Sequence, residues 1–150
     1  TVASYEANEE AYEAWKAEQL AARKAERIAD SKQQLADYLL THPMQWTDGQ
    51  YYAITAEKQQ QLTSKIMSAT LAAQTAQPYD LTWNATGEEC QSWTLENLTA
   101  LTFAIDKRVT SLVSYQQARE VEMRDASTLE ALEAIPVDYD SVPLPGGETA

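Results

Sequence analysis

The stretch "YDLTWNATGEECQSWTLENLTAL", residues 79–101, predicts a strand, a turn, a return strand and the start of a helix. Tyr79, Leu81 and Trp83 alternate with polar residues, which is the two-residue period of a strand with one buried face. Gly87 lies among turn-favouring residues, and "CQSW" can return as the second strand. This hairpin decides the fold class because it places a small antiparallel sheet between predicted helices.

Helices are predicted on both sides of this hairpin. Thr94 is the expected N-cap of the following helix, whose apolar stripe consists of Leu95, Leu98, Ile105, Val109 and Leu112. Before the hairpin, Asp48-Gly49 is a turn signal and "YYAIT" has the composition of a strand. Thr55 is the expected N-cap of a helix that carries Leu62, Ile66, Ala69 and Ala73. The expected fold is α+β, a long N-terminal helix followed by helices packed on a small antiparallel β-hairpin or sheet.

The long N-terminal helix is predicted from about Ser4, as its N-cap, to Leu40. No Gly or Pro occurs before Pro43, and strong helix formers dominate the segment. Its apolar stripe is thin, because the early members are alanines, which bury little area: Ala7, Ala11, Ala14, Ala21, Ala25, Ile28, Leu35 and Leu39. The first half of the helix therefore lacks the apolar area to hold itself against its own domain.

Three regions are expected from these patterns. Residues 1–25 form a projecting helix and a candidate intermolecular element, residues 26–140 a compact α+β domain, and residues 141–150 a flexible Pro/Gly-rich tail. Within the domain, Ser127 and Glu130 match the capping box of a short helix, and "VDY" near residue 138 is interpreted as a short strand.

The projecting helix carries the candidate interaction residues. Tyr12 and Trp15 form an aromatic patch, and Ala11, Ala14 and Ala25 would allow another helix to approach closely. We expect this element either to self-associate, with a trimer as one form, or to dock on another protein. The alternative is a solvated single helix held by its own weak ion pairs.

Charge and composition disfavour several partners. The net charge is −12, and the sequence pI is near 4.4, so neither phosphate backbones nor anionic membranes are expected partners. No apolar run approaches the roughly 20 residues of a membrane span. One cysteine allows no intramolecular disulfide, which fits a reducing compartment.

Catalytic chemistry is not expected. Cys90 and His42 are the only cysteine and histidine, and both are interpreted as structural rather than as a nucleophile–base pair. No phosphate-binding, nucleotide-binding or metal-site motif is present, so no cofactor and no metal are expected. Trp46, Trp83 and Trp93 could line a sugar-binding face, but in so small a domain they are expected to fill the core.

Four segments carry a family resemblance over about three quarters of the chain. "AERIADSKQQLADYLLTHP", "YAITAEKQQQLT", "QPYDLTWNATGEECQSWTLENLTAL" and "STLEALEAI" resemble, in that order, an uncharacterised domain family of tailed bacteriophages and prophages. Members of that family occur at or near tail-fibre and tail-fibre-assembly proteins. The resemblance implies a non-enzymatic structural adaptor or tail-fibre assembly factor, in the virion tail or in the host bacterial cytoplasm during assembly. The alternative function is a receptor- or glycan-binding module at a phage tail tip.

Overall fold

The computed structural model describes residues 2–145 of the chain. Helices and short strands follow one another as α1 (Val2–Thr41), β1 (Met44–Gln45), β2 (Tyr51–Tyr52), α2 (Ala56–Gln74), β3 (Thr82–Trp83), β4 (Gln91–Ser92), α3 (Leu95–Asp125), α4 (Leu129–Glu133) and a 3-10 turn (Tyr139–Ser141). β1 pairs antiparallel with β2, and β3 with β4, in two separate hairpins. The predicted α+β fold, with a long N-terminal helix and further helices packed on small antiparallel hairpins, is confirmed.

α1 is a single unbroken helix of 40 residues, about 60 Å long. It ends at Thr41, in agreement with the prediction, because Pro43 disfavours helical geometry at the residue before it. The predicted N-cap at Ser4 is wrong, since the helix already includes Val2 and Ser4 lies inside it.

Each hairpin turns at a glycine that adopts a positive φ angle. Gly49 and Gly87 both have φ of 80°, a left-handed conformation that side chains with a Cβ rarely adopt. The two hairpins are joined directly, because the Thr86 amide donates to the Tyr51 carbonyl at 2.8 Å. The hairpins therefore form one small β layer under the helices.

The helices that pack on this layer are capped as predicted. The hydroxyl groups of Thr55 and Thr94 accept from the amides of Lys58 and Asn97 at the starts of α2 and α3. Behind these caps, one apolar cluster joins α1, both hairpins, α2 and α3. Its largest members are Tyr38, Leu39, Tyr52, Ile54, Leu62, Leu81, Trp83, Leu98, Leu101, Ile105, Leu112 and Tyr139.

Two residues that were predicted on buried faces are exposed instead. Tyr79 precedes the paired part of its strand, which covers only residues 82–83. Leu95 is the first residue of α3. Both lie at the edge of a regular element, where the periodicity that predicted their burial no longer applies.

A buried polar group lies between this cluster and a second one. Ser31 is fully buried; its hydroxyl accepts from the Gln116 amide at 3.1 Å, and its carbonyl accepts from the Tyr139 hydroxyl at 2.5 Å. Burial raises the pKa of Tyr139 to about 12, so this hydroxyl remains a donor at neutral pH. Beyond this polar group, toward the N-terminus of α1, a smaller cluster contains Met123, Ala126 and Leu132, with Leu20, Ile28, Ile135 and Val137 packed on it.

Two predictions near the C-terminus are wrong. Thr128, not Ser127, caps α4, because its hydroxyl accepts from the Ala131 amide at 3.0 Å. "VDY" is not a strand: the backbone turns into a 3-10 helix at Tyr139, which brings that side chain into the core.

The predicted flexible tail begins too early in the sequence. Val142 is buried, and the buried Arg108 donates from Nη1 to the carbonyls of Val142 (3.2 Å) and Pro143 (3.3 Å). The Nη2 atom of Arg108 donates to the Tyr38 hydroxyl at 3.3 Å. Residues 142 and 143 are therefore held on the domain, and residues 146–150 of the predicted tail lie outside the described residues.

We expect Leu98→Ala and Ile105→Ala each to lower the free energy of unfolding by about 2–5 kcal/mol, because both side chains are fully buried and truncation leaves a cavity. Urea denaturation followed by circular dichroism measures the change. Phe103→Ala is the control on the same helix, since Phe103 is 63% exposed, and it should change the value by no more than about 0.5 kcal/mol. Equal losses for Leu98→Ala and Phe103→Ala would contradict this core.

Candidate interaction site

The two residues considered for nucleophilic chemistry have different neighbours. The Cys90 thiol is exposed and lies 3.7 Å from Asn84 Oδ1. The His42 ring stacks on Tyr38 with centroids 3.8 Å apart, and its Nε2 lies 3.9 Å from Asp140. Within residues 2–145 no hydrogen bond joins the thiol to the imidazole, so the structure does not assemble the Cys–His pair that thiol catalysis needs.

Neither a metal site nor a membrane-spanning helix is present among the described residues. Among residues 2–145, no group of three or more His, Cys, Asp or Glu side chains is arranged to hold a metal ion. No helix of this range has both the length and the apolar character that crossing a membrane requires.

The hairpin aromatics form part of the core. Trp83 is only 4% exposed, and Tyr52 is buried beside it in the same cluster. Trp46 and Trp93 are half-buried, with ring centroids 5.6 Å apart, and Tyr52 meets both rings edge-on. The pair of exposed tryptophans that a sugar-binding platform would need is therefore not present on this hairpin.

The first 18 described residues of α1 are not buried by the rest of the chain. Every residue from 2 to 19 is exposed; we call this segment the N-terminal arm, and residues 20–145 the body. The candidate residues Ala11 and Ala14 lie exposed on the arm, and Ala25 is exposed on the body portion of α1. Apolar packing of α1 on the second cluster begins at Leu20, so the predicted boundary at residue 25 lies too far along the helix.

Tyr12 and Trp15 form the aromatic feature of the arm. Their rings are nearly parallel, with centroids 6.1 Å apart, yet they remain 56% and 54% exposed. Lys16 lies over the Tyr12 ring at 5.0 Å and pairs with Glu13 at 3.2 Å. These contacts hold the rings in place on the helix surface without covering them.

A groove of about 540 Å³ opens where the arm meets the turn before α4. Its apolar lining comes from Tyr12, Trp15, Leu20 and Leu129, and Leu129 is itself 48% exposed. We call it the arm groove. Exposed Tyr and Trp rings of this kind are enriched at the surfaces where proteins bind one another.

Three cations anchor α1 to the body just beyond the groove. Arg23 makes two hydrogen bonds to the Glu133 carboxylate, at 2.5 and 3.2 Å. Lys24 donates to the Arg124 carbonyl in the last turn of α3, and Arg27 donates to the Leu132 and Ile135 carbonyls at the end of α4. The last carbonyls of a helix lack helical partners and carry partial negative charge, so cations stabilise them.

Neither these anchors nor the groove was predicted from the sequence. The signal was present, because Arg23, Lys24 and Arg27 are the densest group of cations in α1 and lie between the apolar Leu20 and Ile28. Lys24 and Arg27 bind backbone carbonyls about a hundred residues later in the chain, and backbone partners leave no sequence signature. Arg23 binds the Glu133 carboxylate, which is equally distant in the sequence.

Four glutamates lie along one side of the arm. Glu6, Glu9, Glu10 and Glu13 follow the i, i+3, i+4, i+7 spacing and line one shared surface. In residues 2–145 the only cation within ion-pair distance of them is Lys16, at Glu13. We call this set the glutamate row.

Comparisons with protein-family models, curated proteins and solved structures found no match to this chain.

Arg23 lowers the pKa of Glu133 below its ordinary value of 4.5, chiefly through their hydrogen bonds. A lowered pKa means that the fold favours the ionised carboxylate. Its contribution to stability is therefore present above pH 4.5 and is lost as the pH falls through the lowered pKa.

We expect Arg23→Gln to return the Glu133 pKa toward 4.5, since the charge and most of the hydrogen bonding are removed. Carboxyl ¹³C NMR titration of Glu133 measures this shift, and Lys16→Gln, which alters a cation on the arm, is the matched control and should leave Glu133 unchanged. An unaltered Glu133 titration in Arg23→Gln would show that this anchor does not form in solution.

Proposed function

We propose that this chain is a non-enzymatic interaction protein that binds another protein through its N-terminal arm. Following the sequence resemblance, the proposed partner is a phage tail-fibre or tail protein, and the proposed role is a structural adaptor or tail-fibre assembly factor. The proposed setting is the virion tail, or the host bacterial cytoplasm during assembly.

One observation carries the interaction role: the arm holds a stacked aromatic pair in which both side chains are more than half exposed to solvent. The arm is about 27 Å long, and all of its residues are exposed. Tyr12 and Trp15 bury little area in the chain itself, although aromatic rings of this kind supply much of the binding energy at protein interfaces. A helix that is fixed at one end by cations and open at the other can present those rings without reorganising.

The alternative function, a receptor- or glycan-binding module, has weaker support. It requires open aromatic rings around a pocket on the hairpins, whereas Trp83 is buried there and Trp93 packs against the core. The hairpin aromatics are therefore assigned to stability, and the arm aromatics to binding.

Pull-down from co-expression with the tail and tail-fibre proteins of the phage or prophage that encodes the chain tests this proposal. We expect Tyr12→Ala/Trp15→Ala to lose binding while the melting temperature stays within a few degrees, because neither ring belongs to a buried cluster. The control is Tyr51→Ala/Phe103→Ala, which removes two other exposed rings and should bind as the unaltered chain does. Equal binding by both double variants would contradict the role of the arm, and no binding to any tail protein would contradict the tail setting.

Cys90→Ser and His42→Ala should retain this binding, since both side chains lie away from the arm groove lining. The same pull-down measures it. Loss of binding in either variant, with an unchanged circular dichroism spectrum, would return these residues to consideration as functional groups.

A further inference from the structure

The arm groove is a largely apolar surface groove that spans the arm and the body. Its lining combines Tyr12 and Trp15 from the arm with Leu20 and Leu129 from the body. Leu20 packs against the second apolar cluster, so the groove continues the packed surface of the body outward onto the arm. An occupant of this groove would lie alongside α1 where the body stops.

The glutamate row borders the arm groove at Glu13, which lines both surfaces. The positions Glu6, Glu13, Leu20 and Arg27 repeat every seven residues, and a helix drifts by only about 20° per seven residues. At Leu20 and Arg27 this face contacts the body; two turns earlier the same face carries carboxylates. The same face of α1 therefore carries an apolar and a cationic residue where it contacts the body, and glutamates on the arm.

The glutamate row carries an electrostatic cost in the free chain. Glu6 and Glu10, and likewise Glu9 and Glu13, stand four residues apart, a spacing at which like charges destabilise a helix. Lys16 pairs only with the last of them. A cationic partner would remove this repulsion at the same time as it gained its own ion pairs.

We propose that the arm groove receives a basic amphipathic helix of a partner protein, an inference that rests on the proposed function and names the chemistry of its partner. The apolar side of that helix would cover Tyr12, Trp15, Leu20 and Leu129. Its Lys and Arg residues would face the glutamate row. The distance from Glu6 to Leu20 along α1 is about 21 Å, so four turns of partner helix match the site.

A second copy of this chain is a poor occupant by the same argument. The arm contains five glutamates and one lysine, a net charge of −4. Symmetric pairing places the same patch against itself, so the glutamate rows would face one another. The arm lysine of another copy, Lys16, already pairs with its own Glu13. The next cations along α1, Arg23, Lys24 and Arg27, are already bound to their own body.

The test uses two synthetic peptides of about four to five helical turns, each with leucines along one face. One carries lysines beside the leucines and the other carries glutamates. Fluorescence anisotropy of the labelled peptides measures binding to the unaltered chain, which should bind the lysine peptide and not the glutamate peptide. Binding should weaken as salt rises, because exposed charges are screened.

Two matched variants separate the arm from the general acidity of the chain. The arm variant neutralises the glutamate row with Glu6→Gln, Glu9→Gln, Glu10→Gln and Glu13→Gln. The control variant removes the same number of charges from exposed positions elsewhere, with Asp30→Asn, Glu88→Gln, Glu89→Gln and Asp106→Asn. We expect the arm variant to bind the lysine peptide about tenfold or more weakly, and the control variant to stay within about twofold of the unaltered chain.

Tyr12→Ala/Trp15→Ala should weaken binding of the lysine peptide by a similar factor. Such a result would show that the peptide uses the groove and the glutamate row together. Equal weakening in the arm and control variants would overturn the proposal, since it would show attraction to net charge alone. The proposal would also be overturned if only the aromatic variant weakened binding of the lysine peptide. Sedimentation equilibrium showing that the unaltered chain dimerises through the arm would overturn it as well. If a tail protein still binds through Tyr12 and Trp15 in those cases, the proposed function stands and only the basic partner is refuted.

Discussion

Ser31 is the residue through which two distant parts of the chain hold α1 in position. It is fully buried; its hydroxyl accepts from Gln116 on α3, and its carbonyl accepts from the Tyr139 hydroxyl near the C-terminus. A buried polar group that loses its partner costs about 1–3 kcal/mol. Sliding α1 along α3 would break both bonds at once, so directional bonds, and not apolar area alone, set the register of α1.

That register determines where the body ends along α1. It places Leu20 on the second apolar cluster. It also brings Arg23 to the Glu133 carboxylate of α4, and Lys24 and Arg27 to backbone carbonyls at the ends of α3 and α4. The body accompanies α1 only from residue 20 to 41, about 33 Å of a helix about 60 Å long. Because α1 is longer than the body beside it, its first residues form the arm, and the aromatic pair and the glutamates of the arm remain exposed.

Much of the fold could be predicted from local patterns, because local physics produces them. Thr55 and Thr94 cap their helices through their own hydroxyls, and Gly49 and Gly87 turn the hairpins through their own φ angles. The exposed Tyr12–Trp15 pair also followed from the sequence, since the alanines around it could not bury two rings.

The remainder depended on contacts between distant residues. Val142 was assigned to a tail because the sequence around it is rich in Pro and Gly. In the structure, Arg108 on α3 donates a hydrogen bond to the Val142 carbonyl. Leu20 packs on a cluster that contains Met123 and Leu132. Both residues lie about a hundred positions later in the chain, so no pattern within α1 predicts this contact. The choice of Thr128 over Ser127 as the cap of α4 was a difference of one residue between two equally suitable hydroxyls.

Native-state hydrogen exchange along α1, followed residue by residue with NMR, tests the central claim that body support begins at Leu20. Amides of the Ser31–Tyr38 segment should exchange only with global unfolding. Amides between Glu6 and Trp15 should exchange at least about a hundredfold faster, since a solvated helical segment opens locally. The account predicts that the change in protection falls within about one turn of Leu20. Uniform protection from Glu6 to Tyr38 at low protein concentration would contradict it, because it would mean that the arm is packed within the monomer.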